Sequence, residues 1–425
     1  MLTMNYQTDE NVVKSVLEGV FTDAKVKMLL DQYLALFEWE YINATHRQYV
    51  ELFITGLFSN LERKSIEPIA LTLKGPGSVR GFQNFFSRST FNTGDFLGKY
   101  QSLVDEHLSG GEGMISVDET DFVKKGDCSP GVSRQYCGRL GKRENCQAGV
   151  FLAYANKKGH ALYDCQLYIP KKWYTSEYED KYSKAKIPEN LPFKTKNEIA
   201  IELLDKVLSS KSLEIKWVGC DASFGSDHGL LESLPDTVYY FAGVRKNEKI
   251  FRSMPEMIPS ERAGQGGKRR VHPSFPPIYV EEIANDDSIP WERVFLADSA
   301  KGPIHADTKC VRCVSYKTSF SGKSGRTKLT VPDKEIWLYI RKHEDGAIKY
   351  FVSNAPADIS RSELDQACVM RWPIEQCFKE CKGRLGMADY ETHTYCAWER
   401  HMLFVMMAHF FTVMLQISLK KSDAA

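Results

Sequence analysis

Residues 371–383 read R-W-P-I-E-Q-C-F-K-E-C-K-G. Pro373 suits the first turn of a helix, where its missing N–H has no intrahelical partner to lose. Gly383 suits the end of that helix. Between them Glu375, Lys379 and Lys382 recur at i, i+4 and i+7, which puts them on one face. Arg371 stands just before the first turn, on the same side. One carboxylate aligned with three cations has two explanations. The ordinary one is a solvated face laced with i,i+4 ion pairs. The other is a metal-binding carboxylate among phosphate-binding cations. The choice depends on whether other carboxylates in the chain can join Glu375.

Composition narrows the classes. A chain of 425 residues has room for two or three domains. With 43% hydrophobic and 26% charged residues it is an ordinary globular chain rather than a disordered one. A net charge of +1 excludes a globally basic protein, so any nucleic-acid contact must come from local patches. The eleven cysteines are odd in number and scattered. The start, MLTMNYQTDENVVKS, lacks the basic and apolar regions of an export signal. Free thiols in a reducing cytoplasm follow. Residues 402–418, MLFVMMAHFFTVMLQIS, are apolar enough to suggest a membrane span. His409, Thr412 and Gln416 interrupt them, and no other stretch is as long. A helix buried on all sides is expected, with no membrane partner.

Residues 1–110 carry apolar spacing of three and four, as in VVKSVLEGVF and KVKMLLDQYLALFEWEYI, and read as a helical N-terminal domain. Within it LKGPGSVRGFQNFFSRSTF mixes Lys74, Arg80 and Arg88 with Phe82, Phe85 and Phe86; core aromatics with rim cations explain this better than a nucleic-acid surface. A glycine-rich joint, HLSGGEG, follows. MISV reads as a short buried strand leading to Asp118. CQAGVFLAYA and ALYDCQLYI flank NKKG as a hairpin. TKNEIAIELLDKVLSS reads as an amphipathic helix, EIKWVGC as a strand ending at Asp221, and TVYYFAGVR as another strand. This order predicts a mixed α/β sheet over 111–245. Residues 246–335, rich in Gly, Pro and Ser, read as a β-rich insertion with strand-like pieces such as YVEEI and RVFLA. Residues 336–425 resume the core with the hairpin IWLYIRK-HEDG-AIKYFVSN and helices.

Three carboxylates stand at candidate element ends: Asp118, Asp221 and Glu375. They are 103 (221 − 118) and 154 (375 − 221) residues apart, so only the fold can unite them. Such a set suits Mg²⁺ or Mn²⁺, which prefer oxygen ligands. Two such ions about 3.5–4 Å apart support in-line phosphoryl transfer. Glu119, Asp121 and Asp298 are competing acids. Strand alternation points Glu119 away from the face of Asp118.

The blocks VDETDFVKKG, RQYCGRLGK, NCQAGVFLAY, VGCDASFG and RWPIEQCFKECKGRLG occur in the order found in DDE transposases of bacterial insertion sequences. The chain resembles the cut-and-paste group, and within it the insertion-sequence 701 branch, over roughly residues 40–410. The resemblance implies a ribonuclease-H-like core with a β-rich insertion between the second Asp and the Glu. It places the catalytic, metal-binding acids at Asp118, Asp221 and Glu375. The group's Tyr-x2-Arg-x3-Glu-x6-Lys signature is matched by Arg371, Glu375 and Lys382; its Tyr position is Cys368, a departure. It also implies a DNA-binding role for the helical N-terminal domain of residues 1–110, phosphate contacts by Arg371 and Lys382 beside Lys379, double-stranded DNA as partner, a homodimer on DNA, and a bacterial, nucleoid-associated cytoplasmic location.

Other signals weigh less. Cys310 and Cys313 form a lone C-x-x-C, and Cys377 and Cys381 share a helix face; neither reads as zinc, which needs four ligands in structural sites. Gly322-Lys323-Ser324 is not a phosphate loop, since Lys317 stands where a Gly is needed. Lys301, Lys309, Arg312, Lys317, Lys323, Arg326 and Lys328 face only Asp307 over 301–330, and read as a DNA-backbone contact. Trp291 reads as a core residue rather than a stacking platform for a flipped base. The expected function is a transposase that binds its element's ends, cuts them and joins the 3′-hydroxyls to target DNA. The alternatives are a metal-dependent nuclease without strand transfer and a transposase-derived DNA-binding regulator.

Overall fold

Apolar residues at helical spacing do form helices through the first quarter of the chain. The structure, a computed structural model, describes residues 23–37, 43–263, 269–299, 302–321 and 327–423. The VVKSVLEGVF segment, the GKS tripeptide and Lys301, Lys323 and Arg326 lie outside them. Helices α1 (Ala24–Ala35), α2 (Ala44–Leu57), α3 (Ile66–Lys74), α4 (Val79–Arg88) and α5 (Thr93–Leu108) come first. Side chains of Asp23, Asn43 and Asn92 accept from first-turn N–H groups of α1, α2 and α5, which offsets the donors a helix start leaves unsatisfied. Phe82, Phe85 and Phe86 are buried, while Lys74, Arg80 and Arg88 are exposed.

Strands follow: β1 (Gly113–Val123), β2 (Ser133–Cys137), β3 (Lys142–Ala155) and β4 (His160–Leu167), then α6 (Glu179–Lys184) and α7 (Lys196–Ser210). β3 and β4 form the hairpin around residues 156–159, with Ala155 opposite His160. β3 also pairs antiparallel with β1 and β2. Thr195 and Glu198 close a capping box on α7.

Lys216–Arg371 make a second compact unit. In chain order it holds β5 (Ile215–Cys220), α8 (Ala222–Gly225), α9 (His228–Ser233), β6 (Tyr239–Val244), β7 (Lys249–Ile250), β8 (Met257–Ala263), β9 (Arg269–Pro273), β10 (Ile278–Tyr279), α10 (Val280–Ala284), β11 (Glu292–Ser299), β12 (Gly302–Ser321), β13 (Thr327–Lys342), β14 (Ile348–Ser353) and α11 (Arg361–Met370). β5 and β6 are parallel. From β6 through β14, β13, β12 and β11 each pairing is antiparallel, so the sheet is mixed. Residues 246–335 are largely strands. Residue 336 falls inside β13, which is one arm of a long hairpin with β12 and also pairs with β14. YVEEI is mostly the short helix α10 rather than a strand, because Tyr279 and Glu282 form a capping box there.

The chain returns to the first unit with α12 (Pro373–Arg384) and α13 (Tyr395–Asp423). Gly383 is inside α12. The stop is Gly386, with φ at 64°, after which the Met387 N–H donates to Cys381 O at 3.0 Å. Residues Tyr395–Ser418 of α13 are long and apolar enough to cross a membrane by length and composition, and 72% buried within the protein. α13 packs on α2, α4, α5 and β4, through pairs such as Phe53 with Phe404 and Tyr100 with Phe410, ring centroids 6.0 and 5.9 Å apart. The buried Arg400 guanidinium donates to Phe86 O, Ser89 O and Phe91 O at 2.9, 2.8 and 2.8 Å. It thereby satisfies carbonyls at and beyond the end of α4.

Candidate active site

Asp118 is not at a strand end. β1 runs on to Val123 because its partner β3 is long enough to pair throughout, and because Thr120 and Phe122 continue the buried alternation. Asp118 is half-buried at mid-strand, its Oδ1 accepting from the Glu119 N–H at 2.7 Å. Its cross-strand partner is Phe151. Directly opposed residues of an antiparallel pair point to one face, and Phe151 meets Phe378 of α12 edge-on, centroids 5.4 Å apart. The face of β1 that carries Asp118 therefore lies beneath α12. Glu375 sits one turn before Phe378, in the first turn of α12, and is exposed.

The competing acids near Asp118 have other partners. Glu119 points away, as alternation requires, and pairs with Lys196 of α7 at 2.6 Å. Asp121 is 7% exposed, and its Oδ2 accepts from the Gly138 N–H at 2.8 Å, fixing the turn after β2.

Lys382, two turns beyond Glu375, also faces β1. Its ammonium donates to Asp121 O at 2.8 Å and stands 5.1 Å over the Phe122 ring. Burial lowers its pKa to about 8, with the Arg139 charge adding to the fall and Asp121, Cys137 and Asp118 opposing it. Lys379 is exposed. The helix face is thus uneven: Glu375 and Lys379 meet solvent, and Lys382 is folded down onto the strand.

The other unit holds Asp221. It follows β5, as expected, and caps α8: its Oδ1 accepts from Ser223 N and Phe224 N at 2.9 and 3.2 Å. Two glycines hold this corner tight. A Cβ on Gly225 would meet Gly243 O at 2.1 Å, and one on Gly243 would meet Ala222 N at 3.0 Å. Gly243 was missed in the sequence because an isolated glycine inside a strand names no partner; its signal is the demand for close backbone approach. Arg371 differs from the stripe residues. It closes α11 and is 6% exposed. Its charge lies near Cys368, whose Sγ accepts from Arg341 Nη1 at 3.3 Å.

Among the described side chains of the basic run over 301–330, Lys309, Arg312 and Lys317 are engaged within their unit. Lys309 is 2% exposed, its ammonium donating to Ala284 O and Asp286 O at 2.9 and 2.8 Å; it caps α10 and is not offered to a phosphate. Arg312 pairs with Glu335 and Lys317 with Asp333, at 3.2 and 2.9 Å. Trp291 is half-buried rather than core, with the ammonium groups of Lys309 and Lys342 4.8 and 5.7 Å from its ring.

The family model described as DDE superfamily endonuclease matches residues 32–306, a span that contains Asp118 and Asp221 but not Glu375. The chain is 24% identical over 343 residues, 80% of its own length and 75% of the relative's, to the probable transposase for insertion sequence element IS701 from Microchaete diplosiphon. The piggyBac transposase, solved in a synaptic complex with hairpin DNA, aligns with 98% of this chain and 77% of its own at 12% identity; its TM-score of 0.41 carries no argument about fold. Two-thirds of the chain thus falls within one family model, and the sequence resembles an IS701 transposase along most of its length: the chain belongs to the DDE superfamily of endonucleases.

Proposed function

We propose that the protein is a DNA transposase with a ribonuclease-H-like core. It binds the ends of its insertion sequence as a homodimer, cleaves them by phosphoryl transfer, and joins the freed 3′-hydroxyls to target DNA. The observation that carries this reading is the packing of α12 over the face of β1. Phe378, one turn from Glu375, rests on Phe151, the partner of Asp118. That supports Asp118 and Glu375 as two acids of one site; Asp221, in the other unit, is the third by the family resemblance alone.

The donor set suits a hard cation. All three acids offer carboxylate oxygen, and each keeps some exposure, which Mg²⁺ or Mn²⁺ requires to retain part of its water shell. When bound between them, two such ions would supply an activated water and Lewis acidity at the leaving oxygen. The chain's own residues do the rest. Asp221 is pre-set by two backbone N–H groups, so little rearrangement is needed on binding. Lys382, already partly desolvated and close enough to Asp118 to feel its charge, supplies a cation for a phosphate oxygen, and Lys379 extends the contact outward.

A cleavage and joining assay tests the reading, using the full chain, Mg²⁺ and the DNA that flanks the reading frame. Cleavage at inverted repeats followed by strand joining is expected. Cleavage without joining would make the protein a nuclease, and end binding without cleavage would make it a regulator.

A further inference from the structure

Three buried donor atoms meet where β4, α12 and α13 pack together. His160 opens β4, Cys377 lies on α12 and His409 on α13, and one donor atom of each lies within 4.8 Å of the others. The side chains are 4%, 0% and 1% exposed. All three elements belong to the same compact unit.

His409 is oriented as a ligand would be. Its Nε2 lies 2.7 Å from Glu380 Oε2, while Glu380 Oε1 accepts from Gln376 Nε2 at 2.6 Å. An ionised carboxylate only accepts, so Nε2 carries the proton and Nδ1 keeps the lone pair. That Nδ1 is buried and meets no hydrogen-bond partner among the described residues, an arrangement proteins avoid unless something else fills the position. A carboxylate behind a histidine is the arrangement that raises ligand basicity and fixes the ring in metal sites.

We propose that His160, Cys377 and His409 bind a divalent transition metal, zinc, with Glu380 orienting His409 from behind. Imidazole nitrogen and thiolate sulfur select a borderline-soft ion over Mg²⁺ or Ca²⁺. Metal bonds of about 2.0–2.3 Å in a tetrahedron put ligand atoms roughly 3.4–3.7 Å apart, a spacing these side chains reach by small rotations. On binding, the Cys377 thiol releases its proton to solvent. The thiolate and the Glu380 carboxylate then balance the two positive charges, leaving the buried cluster neutral. A water completes the tetrahedron. The ion would tie α12 to β4 and α13 two residues past Glu375, and it does not depend on the transposase reading.

The test uses the full chain, freed of any histidine tag, made in zinc-replete cells and gel-filtered. Elemental analysis should find about one zinc per chain. Cobalt substitution should give the near-ultraviolet thiolate-to-metal band. Cys377→Ser should lose the metal and the band. Cys381→Ala, equally buried one turn on but outside the donor group, should keep both and so controls for lost packing. Metal-free wild type that also shows no thiolate band with cobalt overturns the proposal. So does zinc retained in Cys377→Ser, or lost in Cys381→Ala alone.

Discussion

Lys382 supplies the sharpest test, because its environment sets stability against function. A fall in pKa from 10.5 to about 8 corresponds to roughly 3 kcal/mol of folding free energy at neutral pH. Lys382→Met keeps the length and the apolar stem and removes the charge. It also removes the hydrogen bond to Asp121 O and the contact with Phe122, together worth about 1–2 kcal/mol. The variant should therefore be more stable than wild type at pH 7 by about 1–2 kcal/mol. The sign depends on pH. Below pH 8 the lysine is charged in both folded and unfolded chains, and the burial penalty is full. Between about 8 and 10.5 the unfolded chain still holds the proton that the folded one has shed, so wild type gains stability as pH rises. The advantage of Lys382→Met should shrink through that window and be gone by its upper end. Urea unfolding of both proteins at pH 7, 9 and 10.5 measures this, and the difference between them isolates Lys382 from the other buried lysines. The same variant should bind element ends more weakly, with a salt slope lower by about one. A variant less stable than wild type by the same margin at every pH refutes the reasoning.

Asp118→Asn, Asp221→Asn and Glu375→Gln should each abolish end cleavage while gel-shift binding persists, whereas Glu119→Gln, which loses only the pair with Lys196, should still cut. Gly225→Ala drives a Cβ to 2.1 Å from a backbone oxygen and should destabilise by about 3 kcal/mol or more, read as lost soluble protein or a lowered denaturant midpoint. Cys368→Tyr restores the group's signature residue but places a phenol where the side chain is 2% exposed; a loss of about 1–3 kcal/mol is expected, and unimpaired stability would show that the site has room.

Local rules carried much of the fold. The hairpin at 156–159, the capped helix after Thr195 and the strand ending at Asp221 all rest on neighbours in sequence, so period and capping residues reveal them. What escaped depends on partners far along the chain. Nothing near Asp118 says that β3 is long enough to carry the strand past it. Nothing near Lys382 says that its ammonium turns onto a carbonyl 261 residues away. Arg371 stands before a helix start, where the turn rather than the helical period decides its direction. Lys309 reads in sequence as one of a run of DNA-contacting cations, and only the fold supplies the Ala284 carbonyl of α10 that takes its ammonium. The cluster of His160, Cys377 and His409 is spread over 217 (377 − 160) and 32 (409 − 377) residues, with no spacing a motif could register.

The position of α13 has a consequence for how the chain is made. The faces of α2, α4 and α5 that it covers are synthesised first, and residues 395–423 come nearly three hundred residues later. At roughly 5–20 residues per second, tens of seconds pass on the ribosome before those faces meet their cover. Through that interval Phe53, Phe85 and Tyr100 lack the side chains that bury them in the finished protein. Nascent chains are then open to holdase chaperones and to proteolysis, and any chain cut short before Tyr395 stays so. The acid-bearing helix α12 emerges just ahead of α13, so the unit that presents Glu375 becomes complete only when almost all of the chain has been translated.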